Sequence, residues 1–143
     1  MRTKRATRNE EQIKRGIEKA TSEFSQHLMS NSKWIRLIKK LVDNADKVLK
    51  IEFKKVQQSG IGVLYFNQDT EFGFDYWQNG FEGNNSLGGW LTFKEIEYLF
   101  FSKTVDSAKH IEQDLEQIET LIESVGKFSL ETDEKGLKLL CYK

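Results

Sequence analysis

Cysteine is nearly absent from this 143-residue chain: Cys141 stands alone, so no internal disulfide can form, and the composition fits a reducing compartment. Long apolar runs are missing as well. Tyr98-Leu99-Phe100-Phe101 falls far short of a bilayer span, and no apolar signal segment follows the basic start, so a soluble, cytoplasmic protein is expected. Only two histidines occur, His27 and His110, and neither has a Cys-x-x-Cys or Glu-x-x-His companion, which leaves too few ligands at metal-site spacing. Neither phosphate-loop fingerprint is present: Gly80, Gly83, Gly88 and Gly89 match none, and their stretch carries Glu82 where a cation would be needed. Cys141, in step with Leu137 and Leu139, reads as a small buried hydrophobe rather than an activated thiolate. Asp69, Glu71 and Asp75 have weak spacing for acid–base or cation chemistry and read as an exposed hairpin. No enzyme activity, catalytic residue, cofactor or metal is expected.

Net charge is also missing, but only in the sum. Residues 1–58 hold 15 Lys+Arg against 7 Asp+Glu, and residues 59–143 hold 7 against 15, so a +8 half is joined to a −8 half. Such asymmetry either closes on itself across a shared core or points to a charged partner.

The apolar pattern predicts an α+β domain, a small antiparallel sheet packed against two or three helices. Residues 1–8 read as a cationic solvated tail, followed by an amphipathic helix whose seam is Ile13, Ile17, Ala20, Phe24 and Leu28. That narrow seam needs a cover, either this domain or a second copy of the chain. Asn31 or Ser32 is expected to cap a second helix over 32–46, with Trp34, Ile38, Leu41, Ala45 and Val48 inward and Lys33, Arg36, Lys40, Lys47 and Lys50 along one basic edge. Alternation at Leu49, Ile51 and Phe53 begins a strand, and further strands are expected over 61–66 and 72–77. Gln78–Gly89 reads as a glycine-rich loop. Thr92 with Glu95 matches a capping box, yet Ile96–Phe101 is bulky enough for a buried strand, and strand is the expectation.

A third helix is predicted from Thr104 or Asp106 to Val125, with Ala108, Ile111, Leu115, Ile118, Ile122 and Val125 as its seam and His110 on its surface. Glu112, Glu116, Glu119 and Glu123 follow that seam one position later and form an acidic edge, whose mutual repulsion invites a compensating cation. A hairpin over 128–131 and 137–142 closes the chain.

Lys33-Trp34 opening a helix, Ile96-Glu97-Tyr98 entering an apolar strand and the closing Gly136-Leu-Lys-Leu-Leu-Cys-Tyr142 carry a resemblance. From Met29 onward, about four-fifths of the chain, the sequence resembles a family of small uncharacterised bacterial proteins. The resemblance implies an immunity-type partner of a secreted toxin. Met29-Ser30-Asn31-Ser32 reads like a natural start, which makes residues 1–28 an expected appendage to a 29–143 domain of net charge −3.

The expected function is therefore non-catalytic protein binding, an inhibitor occluding a cationic partner such as a toxin. Glu112, Glu116, Glu119 and Glu123, with the loop residues Tyr76, Trp77, Phe81, Glu82 and Trp90, are the expected contact. The alternative is a nucleic-acid-associated regulator using the basic half, with its cations on phosphates and Trp34 or Tyr76 stacking on bases.

Overall fold

Apolar and charged residues alternate from Ile51, and the chain folds there into extended backbone whose alternate side chains enter the core. A computed structural model describes residues 4–67, 70 and 80–143. Strands β1 (Ile51–Lys55), β2 (Ile61–Leu64), β5 (Ile96–Ser102), β8 (Ser129–Thr132) and β9 (Gly136–Leu140) form an antiparallel five-stranded sheet in the order β2-β1-β5-β9-β8. Two small ribbons flank it: β3 (Gly80–Glu82) with β4 (Trp90–Thr92), and β6 (Thr104–Asp106) with β7 (Ile111–Glu112). The protein is α+β, as the sequence pattern predicts.

Register decides which residues share a face. Phe53 stands opposite Leu99, which stands opposite Leu139, and Phe101 stands opposite Leu137. All five are fully buried. Helices α2 (Asn31–Asp43) and α3 (Leu115–Glu123) cover this face with Trp34, Leu37, Ile38, Leu41, Ile118 and Ile122. Each such side chain removed from water contributes roughly 1.5–3 kcal/mol before chain entropy is counted. Trp34 stacks on Phe93 at 5.4 Å between ring centroids, tying α2 to the 3-10 turn Phe93–Glu95 that leads into β5. Opposite Phe53, Gly62 leaves room for the ring, which a Cβ there would strike.

Several boundaries differ from those the sequence suggests. Helix α1 runs Lys4–Ser22, so most of the expected cationic tail is helical; its Lys, Arg and Ala residues are strong helix formers. It ends where the Thr21 and Ser22 hydroxyls donate back to the Glu18 and Lys19 carbonyls. Phe24 and Leu28 therefore lie beyond it, and residues 26–28 bond to residues 141–143 instead. Ser30, not Asn31 or Ser32, caps α2, its hydroxyl accepting the Lys33 amide at 3.1 Å. Since α2 stops at Asp43, Ala45, Lys47, Val48 and Lys50 are not on it, and the expected basic edge is broken after Lys40.

Both readings of residues 92–101 hold in part. Glu95 completes a capping box with Thr92 around the short 3-10 turn, and β5 follows at once. The loop expected over 78–89 contains β3, and the glycine cluster serves its backbone: Gly83, Gly88 and Gly89 have φ of 64°, 75° and 72°, values that favour glycine. The strand expected over 72–77 lies outside the described residues.

The largest correction concerns the third helix. Residues 104–112 are the β6–β7 ribbon, in which the Asp106 carboxylate accepts the Lys109 amide and His110 adopts a left-handed φ of 56°. Ala108 and Ile111, expected on the buried seam, are exposed. Only Leu115–Glu123 is helical, capped by Asp114, whose carboxylate accepts the Gln117 amide at 3.1 Å. Among the described residues, no helix is long and apolar enough to cross a membrane.

Candidate functional site

The start of α3 is fixed by a residue whose spacing gave no sign of it. Gln113 is buried, and its carboxamide accepts the Leu49 and Lys50 amides at 3.0 and 3.2 Å. It donates to the Lys50 and Ser102 carbonyls at 2.9 and 2.7 Å. One side chain thus joins the approach to β1, the end of β5 and the entry to α3. Within the predicted seam Gln113 falls between Ile111 and Leu115, at a position the helical spacing left outward.

From this anchor α3 presents Glu116, Glu119 and Glu123. At about 100° per residue these three fall within an arc of roughly 60°, beside the stripe formed by Ile118 and Ile122. Glu116 and Glu123 are exposed and Glu119 is half-buried. Glu112 is exposed too, but on β7, paired with Thr104; the structure does not extend the helical edge to it. Residues 110–126 nevertheless hold five carboxylates and no Lys or Arg.

The ion pairs lie elsewhere. Among the described residues, they join Lys39 to Asp43, Lys50 to Glu52, Lys54 to Glu97 and Lys55 to Glu95. None of these pairs involves Glu112, Glu116, Glu119 or Glu123, so no described cation of the basic half neutralises this face by direct contact. Asp114 and Glu116 sit where the helix dipole favours anions, whereas Glu123 occupies a last turn without a basic residue, a placement costing about 0.3–1 kcal/mol. These carboxylates do not converge on a point: among the described residues, no group of three or more His, Cys, Asp or Glu side chains is placed to hold a metal ion.

The aromatic part of the expected contact is held by different elements. Trp90, 38% exposed, begins β4 opposite Glu82, while Phe81 lies opposite Leu91. The intervening loop is tied to β2, with the Ser86 hydroxyl accepting the Val63 amide at 2.8 Å and Asn85 bridging Leu64. Helix α3, in contrast, packs against α2 and β9. Tyr76 and Trp77 lie outside the described residues.

The amphipathic seam of α1 is divided as well. Ile13 is 59% exposed, whereas Ile17 lines a cleft of about 340 Å³ with His27, Met29, Trp34 and Tyr142. Ala20 is half-buried, Phe24 packs on the Tyr142 ring at 5.2 Å, and Leu28 donates its amide to the Cys141 carbonyl. The Trp34 expected as a stacking platform is buried against Phe93 and offers no face to a base.

The groups with displaced pKa values lie away from the acidic face: Cys141 and Tyr142 are buried, and Tyr98 is half-buried on β5, where burial and then the Glu97 and Glu52 carboxylates raise its hydroxyl. Burial, with the nearby Glu97 carboxylate, raises the Cys141 thiol strongly and keeps it protonated. Burial, followed by the neighbouring Cys141, pushes the Tyr142 hydroxyl up to about 12, and this hydroxyl donates to the Lys94 carbonyl at 2.8 Å. A thiol held this way is no nucleophile at neutral pH.

Compared with protein-family models, with curated proteins and with solved structures, the chain gives no match.

Proposed function

We propose that the protein is a non-catalytic binding domain that occludes a cationic protein partner, acting as an immunity-type inhibitor of a basic toxin. One observation carries this reading: the carboxylates of α3 project together, and among the described residues no ion pair from the basic half meets them. An acidic helical face beside water gains little from isolated surface pairs, but a partner that desolvates several at once gains both attraction and orientation. Glu112 on β7 extends the negative field beyond the helix. Exposed Trp90 is the kind of amphipathic aromatic that anchors an interface core.

Electrostatic steering of this type speeds association and weakens steeply with salt. The test is reversal of Glu116, Glu119 and Glu123 to Lys in the full chain, with capture of a basic protein from the native host compared against the wild type. Retention of that protein at one-to-one stoichiometry by the wild type alone supports the reading. Equal retention by both, or salt-sensitive retention of nucleic acid by both, rejects it.

A further inference from the structure

The sheet has a second face that the helices α2 and α3 do not cover. Along one row of the register, Ile61, Lys54, Tyr98, Leu140 and Ser129 stand side by side across the five strands. Along the next run Val63, Glu52, Phe100, Lys138 and Glu131. None of these ten is buried, and Ile61 is 48% exposed. The solvated face of an antiparallel sheet ordinarily reads polar, yet half of these positions are aliphatic or aromatic. Phe100 also leans toward β9, where Gly136 has no side chain; a Cβ there would meet the Phe100 ring and the Phe101 carbonyl.

Two of the four charged residues on these rows, Glu52 and Lys138, are placed symmetrically about the middle strand, whereas Lys54 and Glu131 are not. Phe100 lies at the middle of its row, with Glu52 on one side and Lys138 on the other. Rotating a second copy by 180° about an axis parallel to β5 lays row against row with the strand order reversed. Phe100 then meets Phe100, Tyr98 meets Tyr98, and each Glu52 meets the other copy's Lys138. Strands stay nearly aligned, as face-to-face sheets require. We infer that the open sheet face is a self-association surface, forming a two-fold dimer with the Glu52–Lys138 pair made twice and the two Phe100 rings at its centre.

Its strength follows from its size. Five strands about 4.8 Å apart, each about five residues long at roughly 3.4 Å per residue, give a projected face of roughly 400 Å² per copy. That is below the ~800 Å² per partner of a standard interface, so the inferred dimer is a weak, transient one. The inferred surface is on the opposite side of the sheet from α3, which leaves the acidic face free in the dimer.

Sedimentation velocity of the full chain over about 1–300 μM tests the inference, because a weak dimer changes population across that range. The weight-average mass should rise from the 16.7 kDa monomer toward twice that value. Glu52→Lys and Lys138→Glu should each weaken self-association at least about tenfold, and the double variant should recover it to within about threefold. Recovery reads only the contact between copies, since within one chain Glu52 pairs with Lys50 and Lys138 lies over the Tyr98 ring. A monomer throughout the range overturns the inference, as does a double variant no better than the two single ones.

Discussion

Gln113 pairs with Lys50 in both directions, accepting the Lys50 amide at 3.2 Å and donating to the Lys50 carbonyl at 2.9 Å. With its bonds to Leu49 and Ser102, this makes one buried carboxamide the junction between the sheet and the acidic helix. Gln113→Ala leaves backbone groups of residues 49, 50 and 102 without these partners, at a cost of about 2–4 kcal/mol. Urea denaturation should show that loss, and Gln113→Glu, which turns the donating end into an acceptor, should lose at least as much.

Glu123 lies in the C-terminal turn of α3, where its charge opposes the helix dipole. Glu123→Lys should stabilise the isolated protein by about 0.3–1 kcal/mol, because a cation suits the C-terminal turn of α3. The same change should weaken capture of the cationic partner. Thermal melting read beside binding separates the two effects, and a variant that loses stability contradicts this account of Glu123.

Tyr142 makes the fold alkali-sensitive. Its folded pKa of about 12 exceeds the unfolded value of about 10, so the folded state holds a proton that the unfolded state releases. The associated stability is complete below pH 10 and is lost as pH rises toward 12, a fall of about 1–2 kcal/mol. Tyr142→Phe should flatten that part of the stability–pH curve while removing the bond to the Lys94 carbonyl.

Cys141 should react with a thiol reagent only through unfolding, since it is buried and its thiol is held protonated. Labelling rates measured across a urea series should track the unfolded population. Rapid labelling of the native protein would contradict the described burial.

Legibility from the sequence followed how local each signal is. The alternation at Ile51 and Phe53, the closing hairpin and the Thr92–Glu95 box are set by neighbouring residues and appear in the structure, whereas Leu49, expected to open that alternation, precedes β1 and is 49% exposed. The third helix was over-extended because Ala108 and Ile111 continue a helical spacing by coincidence, while Asp106 and the long-range bonds of Gln113 favour a ribbon. Likewise, the end of α1 depends on pairing between residues 26–28 and 141–143, separated by most of the chain. On α3 the acidic residues were legible as a run, but not the separation of Glu112 onto β7. Tyr98 and Phe100 read as part of a buried strand because β5 is apolar on both faces; the register places them on the face that α2 and α3 do not cover, where both are half-buried.

The central claim is that Glu116, Glu119 and Glu123 of α3 hold a cationic protein. Its most direct measurement is parallel affinity capture from the native host with wild type and the Glu116→Lys, Glu119→Lys, Glu123→Lys triple variant, at about 50 mM and about 500 mM salt. One basic protein, retained at one-to-one stoichiometry by the wild type, lost at high salt and absent from the triple variant, is the predicted result. The same protein retained equally by both, or no stoichiometric protein on the wild type, would contradict it.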